Sequence, residues 1–180
     1  MINNVVSLII DRLNENLNNR FSQSSDIVIS GTLNDLENDN NSVYQDKLIL
    51  TLSNIEHERL AFSQNPRSYN TPINIYLYML ISANFQQSNY VQGLGMLSAV
   101  ISFFQYYANW NHSNAPGLDT SVEKLSFELI NLNIQELTQL WGVHGGKYVP
   151  SALYKVRTVR ISEDIDEPGS LMGGFGAGVS

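Results

Sequence analysis

Residues Lys124 to Ile161, KLSFELINLNIQELTQLWGVHGGKYVPSALYKVRTVRI, decide the fold of this chain. The order of polar, apolar and glycine residues predicts a strand, a short helix, a glycine turn and a second strand. The first strand mixes polar and apolar side chains, as half-buried strands do: Phe127, Glu128, Leu129, Ile130 and Asn131. The second strand is a β-rich run from Ser151 to Ile161, in which Lys155, Arg157 and Arg160 stand between apolar residues.

The helix between these strands has a clear predicted start. Asn133 is suited to cap it, and Glu136 can reach back to the Asn133 backbone N–H, which makes a capping box. Leu132 and Leu137 occupy the positions of a hydrophobic staple. The predicted apolar face of the helix follows a period of three to four residues: Ile134, Leu137, Leu140 and Trp141.

A glycine-rich turn follows this helix. Gly142 is predicted to stop the helix because glycine tolerates positive φ, and Gly145 and Gly146 permit a sharp reversal that Pro150 ends. We take this turn and the basic residues beyond it as a candidate interaction surface: Trp141, Gly142, Gly145, Gly146, Lys147, Tyr148, Pro150, Lys155, Arg157 and Arg160. The basic residues are expected either to discourage unwanted edge pairing or to face an acidic neighbour.

Two longer helices are predicted elsewhere. One covers residues 2 to about 19 and faces the core or a neighbouring subunit, with Asn14 on its polar face. Its apolar face consists of Ile2, Val5, Val6, Ile9, Ile10, Leu13 and Leu17. The other covers Tyr90 to about Asn109, with Gly93 and Gly95 expected to permit close approach to the sheet. Its predicted apolar stripe is Tyr90, Leu94, Leu97, Val100, Ile101 and Phe104.

Three further strands complete the predicted sheet. They are Asp26–Ser30, Lys47–Glu58 and Ile73–Ala83, separated by the polar loops Gly31–Asp46 and Arg59–Thr71, the first expected to be exposed and mobile. The last strand is apolar on both faces, so it should be central or covered on both sides, by helices or by another subunit. The sequence therefore predicts an α+β fold, with a mixed or antiparallel sheet of about five strands covered by the N-terminal helix and the second long helix.

Composition limits the domain organisation. A chain of 180 residues is long enough for one domain with a sizeable core, and we assign residues 1–161 to it. The acidic, glycine-rich tail 162–180 is predicted to be a flexible end or an arm that orders on a neighbour. Charged residues make up only 15%, which reflects either heavy use of asparagine or a surface covered by partners.

Charge and cysteine content exclude several functions. The net charge of −7 argues against a general nucleic-acid binder. The chain has no cysteine and therefore no disulfide or thiolate chemistry. We expect neither a secretory signal nor a segment that spans a bilayer.

No pattern indicates a catalytic, cofactor or metal site. The run Gly142–Lys147 fails as a phosphate loop, because Trp141 stands where a glycine is needed and Tyr148 stands where a serine or threonine is needed. Gly93-Leu94-Gly95 lacks the third glycine of a dinucleotide-binding fingerprint and falls inside a predicted helix. Glu56-His57-Glu58 is typical of a solvated polar cluster. The histidines, which have no partner at helical metal-ligand spacing, are His57, His112 and His144.

Several segments carry a resemblance to a known family. They are FELINL and LWGVHGGKYVPSALYKVR in the decisive stretch, IYLYMLISANF and YVQGLGMLSAVISFFQ before it, and VSLIIDRLN and ILTLSNIEHER earlier still. Together they resemble the N-terminal domain family of cap, or tail-terminator, proteins of phage-tail-like contractile injection systems, of the virulence-cassette and antifeeding-prophage type. The resemblance covers residues 1–161 and leaves out the tail.

The resemblance implies a tail-terminator-like fold and a structural function without catalysis or cofactor. Such a cap forms a six-membered ring at the baseplate-distal end of the tube and sheath, ends polymerisation and anchors the sheath to the tube. The implied partners are further copies of the chain, tube protein and sheath protein, with no nucleic acid and no membrane insertion. The implied localisation is synthesis in the bacterial cytoplasm, then incorporation into an injection particle. The alternative is a small ligand-binding protein or enzyme that uses the loop from Trp141 to Tyr148.

Overall fold

Six strands and three α-helices make up the part of the chain that this computed structural model describes, residues 1–32, 42–58, 73–145 and 147–161. In chain order they are α1 (Ile2–Phe21), β1 (Val28–Ser30), β2 (Lys47–His57), β3 (Ile73–Asn84), α2 (Tyr90–Tyr106), β4 (Asn109–Asn111), β5 (Val122–Ile130), α3 (Ile134–Val143) and β6 (Ser151–Ile161). Two short 3₁₀ turns, Ser42–Tyr44 and Gln87–Asn89, precede β2 and α2.

All six strands belong to one mixed sheet in the order β1-β2-β3-β6-β5-β4. The β1–β2 pair is parallel, and every other pair is antiparallel. The predicted α+β class is therefore confirmed. Of the two sheet types that the sequence allowed, mixed or antiparallel, the structure has the mixed one, with six strands instead of about five. The additional strand is β4, whose residues pair with Lys124–Ser126 of β5. It was not predicted because its three residues come at the end of the predicted second helix.

The helices lie on both faces of the sheet. The main core joins the apolar sides of α1 and α2 to one face of the sheet, on which Leu77, Met79 and Ile81 of β3 are buried. On the other face, Trp141 of α3 packs with Leu80 and Leu153. The prediction that β3 is central or covered on both sides is confirmed, because it pairs with β2 and β6 and both of its faces contribute to a core.

Asn14 of α1 is buried, which corrects its placement on the polar face of the helix. Its side-chain oxygen accepts hydrogen bonds from the backbone N–H groups of Ile27 and Val28, at 2.9 and 2.8 Å. Its amide nitrogen donates to the Val28 carbonyl at 2.8 Å. Asn14 thus ties α1 to the start of the edge strand β1, and every buried polar group in this contact has a partner.

The buried face of α2 differs from the predicted stripe. Tyr90 and Leu94 are exposed. The buried residues are Gly93, Met96, Leu97, Ala99, Val100, Phe103 and Phe104. A Cβ atom at Gly93 would lie 2.5 Å from Cδ2 of Phe85, so this glycine permits a close approach, although to a side chain after β3. The same expectation is wrong for Gly95, where a Cβ atom would meet nothing within 4 Å.

Parts of the predictions lie outside the described residues. These are residues 33–41 of the first loop, the whole loop 59–71, Gly146, the Arg160 side chain and the tail 162–180. Among the helices that the structure does describe, none combines the length and the hydropathy needed to cross a bilayer.

Candidate interaction surfaces

The helix α3 starts as predicted and ends differently. The Asn133 side chain accepts from the Glu136 N–H, and the Glu136 carboxylate accepts from the Asn133 N–H, both at 2.9 Å. This capping box satisfies two backbone N–H groups at the start of the helix that carries Trp141. Ile134 is 83% exposed, so its placement on the apolar face is wrong. The predicted stop at Gly142 is also wrong, because the helix continues through it to Val143.

The turn after α3 forms an aromatic groove. Gly145 has φ 64°, so it provides the left-handed backbone that the reversal requires. The ring of Tyr148 then packs edge-on against Trp141, with 5.6 Å between ring centroids. The groove has a volume of about 460 Å³ and is lined by Leu137, Thr138, Trp141, Gly142, Gly145 and Tyr148. No charged side chain belongs to this lining.

Three predicted site residues of this turn have different environments. Lys147 and Tyr148 are exposed, whereas Pro150 is half-buried and its carbonyl accepts a hydrogen bond from the Ala83 N–H at 2.8 Å. The indole N–H of Trp141 is buried and has no acceptor among the residues that the structure describes. In the described part of the turn, Pro150 is therefore hydrogen-bonded to β3, whereas the aromatic ring of Tyr148 is exposed.

The basic residues of β6 are engaged within the chain. The Arg157 guanidinium forms a two-pronged ion pair with the Glu58 carboxylate, with Nη2–Oε2 at 2.8 Å and Nε–Oε1 at 3.0 Å. The Lys155 ammonium lies 3.8 Å from the ring centroid of Tyr76. The Arg157 hydrogen bonds, with one from the Tyr76 hydroxyl, lower the pKa of Glu58 from 4.5 to about 2. Arg157 and Lys155 thus join the ends of β2, β3 and β6.

The outer face of α2 is exposed and has no charge. The helix contains no acidic or basic residue over its 17 positions. Its solvent-facing arc consists of Val91, Leu94, Gly95, Ser98, Ser102, Gln105 and Tyr106. The serine hydroxyls donate to the carbonyls of Leu94 and Ser98 within the helix, at 2.8 and 2.9 Å. We call these seven residues the α2 outer face.

The described residues contain no cluster of side chains that could hold a metal ion. His57 and His112 are exposed, and Nε2 of His144 lies 3.2 Å from the Ser53 hydroxyl. The structure does not bring the three histidines together with the acidic residues into one site.

Two solved structures share this fold. One is the sheath/tube terminator, in the extended state, of the extracellular contractile injection system PVC. It is 19% identical with a TM-score of 0.53, and the alignment covers 100% of this chain and 64% of that chain. The other is the tube-terminating cap of the anti-feeding prophage, 13% identical with a TM-score of 0.52, with coverage of 97% and 60%. The fold is therefore the one found in terminator proteins of contractile injection systems.

The family follows from the sequence match. The model of the Pvc16 N-terminal domain matches residues 4–172, so the chain belongs to this family. No curated protein matches the sequence. The chain spans less than two thirds of the length of the two terminator structures that it resembles.

The α2 outer face was missed by the sequence analysis. The predicted apolar stripe is displaced by about one residue position from the buried face of α2, so that the exposed residues Tyr90 and Leu94 were assigned to the core. A signal was present in the composition, because a helix of 17 residues with one buried side rarely lacks charge on its other side.

Proposed function

We propose that the chain is a structural cap of a contractile injection system. It forms a ring at the baseplate-distal end of the tube and sheath, ends their polymerisation and anchors the sheath to the tube. The ring contains six copies of the chain. Its action is binding, without catalysis, cofactor or metal. Membership of the Pvc16 N-terminal domain family and the terminator fold support this proposal.

The observation that carries the proposal is Gly95 on the α2 outer face. A glycine inside a helix costs about 1 kcal/mol of stability relative to alanine. Within the described chain no close packing offsets this cost at Gly95, because a Cβ atom there would meet no atom within 4 Å. The surrounding arc is also free of charge and includes Val91, which is 80% exposed. A close contact with a second molecule explains the glycine, the lack of charge and the exposed apolar side chains together.

Two different surfaces suit a ring better than a two-fold dimer. The α2 outer face lies on one side of the sheet, whereas the groove of Trp141 and Tyr148 lies on the other. When one surface of a subunit binds a different surface of the next, the contact is head-to-tail and closes into a ring if the rotation fits. We assign the α2 outer face and the groove to the two halves of this contact. Lys147, which precedes Tyr148 in the chain, is exposed.

The partners are further copies of the chain, the tube protein and the sheath protein. Synthesis takes place in the cytoplasm, and the chain then becomes part of the particle. Nucleic acid and membrane are not partners, in keeping with the net charge of −7. The alternative of a ligand-binding protein or enzyme at the groove is not proposed, because its lining offers no acid, base or nucleophile besides the Thr138 and Tyr148 hydroxyls.

Electron microscopy of particles made with and without the chain tests this function. Particles that contain it should have a uniform length, a closed distal end and a sheath that stays on the tube. Without it, lengths should be uncontrolled or sheaths should detach. Normal length, normal distal ends and stable sheaths in its absence would refute the cap function.

A further inference from the structure

A second groove lies between the C-terminal half of α2 and the sheet, next to β5. It has a volume of about 450 Å³. The side chains around it include aromatic and aliphatic residues and one amide, but no charged group: Ile101, Phe104, Gln105, Ala108, Phe127, Leu129 and Tyr154. Leu129 is 41% exposed at its open side. The groove is therefore uncharged and mostly apolar where it opens beside the edge of β5.

The edge of β5 is open beside this groove. The neighbouring strand β4 pairs only as far as Ser126, and the last bond on this side runs from the Phe127 N–H to the Ala108 carbonyl at 2.9 Å. Backbone groups of alternate residues in an antiparallel strand face the same neighbour. The N–H and C=O of Leu129 therefore face away from β6, like those of Phe127. Among the described residues, no group pairs with the Leu129 backbone on this side.

Tyr154 adds an unsatisfied hydroxyl. It is opposite Leu129 in the β5–β6 register and only 3% exposed. Its hydroxyl is buried without a hydrogen-bond partner in the described part of the chain. A buried hydroxyl without a partner destabilises a fold, so its retention next to an apolar groove and an open edge points to a partner that arrives from outside.

The other face of the edge carries charge. Glu128 lies between Phe127 and Leu129 and points to the opposite side of the sheet. It is exposed and forms no ion pair among the described residues. A strand added beside Glu128 would present alternate side chains to the groove and to this carboxylate.

We propose that the edge of β5 from Phe127 to Ile130 binds an extended segment of another polypeptide, with apolar side chains toward the groove and basic side chains toward Glu128. The segment adds a seventh strand to the sheet by hydrogen bonds to the Leu129 backbone. Its docking brings an acceptor to the Tyr154 hydroxyl. Gln105 belongs both to this groove and to the α2 outer face, so the two proposals are distinguished by their tests: this one uses the isolated chain, and the ring is tested on particles.

The test uses a short peptide of alternating valine and lysine with blocked ends, and a matched peptide of alternating valine and glutamate. Calorimetric titration of the full chain should show binding of the lysine peptide and weaker binding of the glutamate peptide. Hydrogen exchange of the Leu129 amide, followed by NMR, should slow when the lysine peptide is bound. Exchange of amides in α1 should stay unchanged.

Variants separate the three parts of the site. Leu129→Pro removes the outward N–H without breaking a bond to β6, and it should weaken binding about tenfold or more, whereas Leu129→Ala should keep most of it. Glu128→Lys should reverse the preference between the two peptides. Tyr154→Phe should weaken binding about fivefold and raise the melting temperature of the unbound chain, because it removes the unpaired hydroxyl.

The proposal would be overturned if neither peptide binds, or if Leu129→Pro and Leu129→Ala bind the lysine peptide equally well. An unchanged charge preference in Glu128→Lys would do the same, and this variant does not depend on the tolerance of the strand for proline. A third outcome is that neither peptide binds, the wild-type chain self-associates, and Leu129→Pro abolishes this self-association. The occupant of the edge would then be a second copy of the chain and not another polypeptide.

Discussion

The two glycines in the middle of α2 permit a matched test of the packing. Gly93 faces Phe85, where an added Cβ atom would lie 2.5 Å from Cδ2, 2.6 Å from Cγ and 3.1 Å from Cβ. These atoms are the part of the phenylalanine nearest its backbone, so the side chain cannot rotate away easily. Gly95, two residues on, has open space at the same position. The same substitution is therefore predicted to stabilise the chain at Gly95 but not at Gly93.

The magnitudes follow from two terms. Alanine in place of a helical glycine gains about 1 kcal/mol, and this is the whole effect expected for Gly95→Ala. Gly93→Ala gains the same amount but also overpacks the core, which costs about 1–3 kcal/mol. Its free energy of unfolding should therefore be unchanged or lower by up to about 2 kcal/mol. In a chain of this length, the Gly95→Ala gain corresponds to a rise of about 2–4 °C in melting temperature.

Urea denaturation of the two purified variants and the wild-type chain, followed by far-UV circular dichroism, gives the three free energies. Equal stabilisation in both variants would show that Phe85 is not held against α2. A loss of stability in Gly95→Ala would show that the α2 outer face has an intramolecular contact, and the argument for an external partner would then be wrong.

Three further predictions concern the turn, the ion pair and the buried amide. Because Gly145 has φ 64°, Gly145→Val should cost about 1–2 kcal/mol in urea denaturation, whereas Gly142→Ala, in helical backbone, should cost nothing. Because the pKa of Glu58 is lowered from 4.5 to about 2, the free energy of unfolding should fall as the pH drops from 4.5 towards 2, and Glu58→Gln should remove this part of the pH dependence. Asn14→Leu should cost about 2–4 kcal/mol, since it leaves two buried N–H groups and one carbonyl unpaired, whereas Asn19→Leu on the exposed side should be nearly neutral.

Local signals in the sequence were sufficient for much of the fold. The capping box of Asn133 and Glu136 depends only on residues three positions apart, and the structure contains both of its hydrogen bonds. The apolar residues on both faces of β3 likewise predicted its central position, because both faces of a strand must be covered if both are apolar. These features need no knowledge of distant contacts.

Features that depend on distant partners were not predictable. Asn14 looks polar and exposed on a helical wheel, and only the arrival of β1 makes it a buried hydrogen-bonding residue. Gly142 is a strong stop signal, yet the helix continues through it to Val143, next to Trp141, which is buried against the other face of the sheet. The three residues of β4 carry no pattern of their own and form a strand because β5 offers an edge.

The same distinction between local signals and distant contacts applies to the candidate surfaces. The residues of the turn could be chosen from glycine and aromatic content, and Gly145 does have positive φ. The ion pair of Arg157 with Glu58 joins residues 99 positions apart, so the sequence could show the charges but not their pairing. The use of the turn in an assembly stays a prediction.

The central claim, that the α2 outer face contacts a neighbouring molecule in the assembled particle, is tested most directly by Gly95→Lys. A Cβ atom at this position meets nothing within 4 Å in the described chain, and lysine favours a helix more than glycine does, so the isolated variant should be at least as stable as the wild-type chain. Particles assembled with it should resemble particles without any cap when their lengths and distal ends are measured by electron microscopy. The control Gln92→Lys, on the same helix but outside the α2 outer face, should give normal particles. A stable Gly95→Lys chain that still produces particles of uniform length with closed ends would contradict the account.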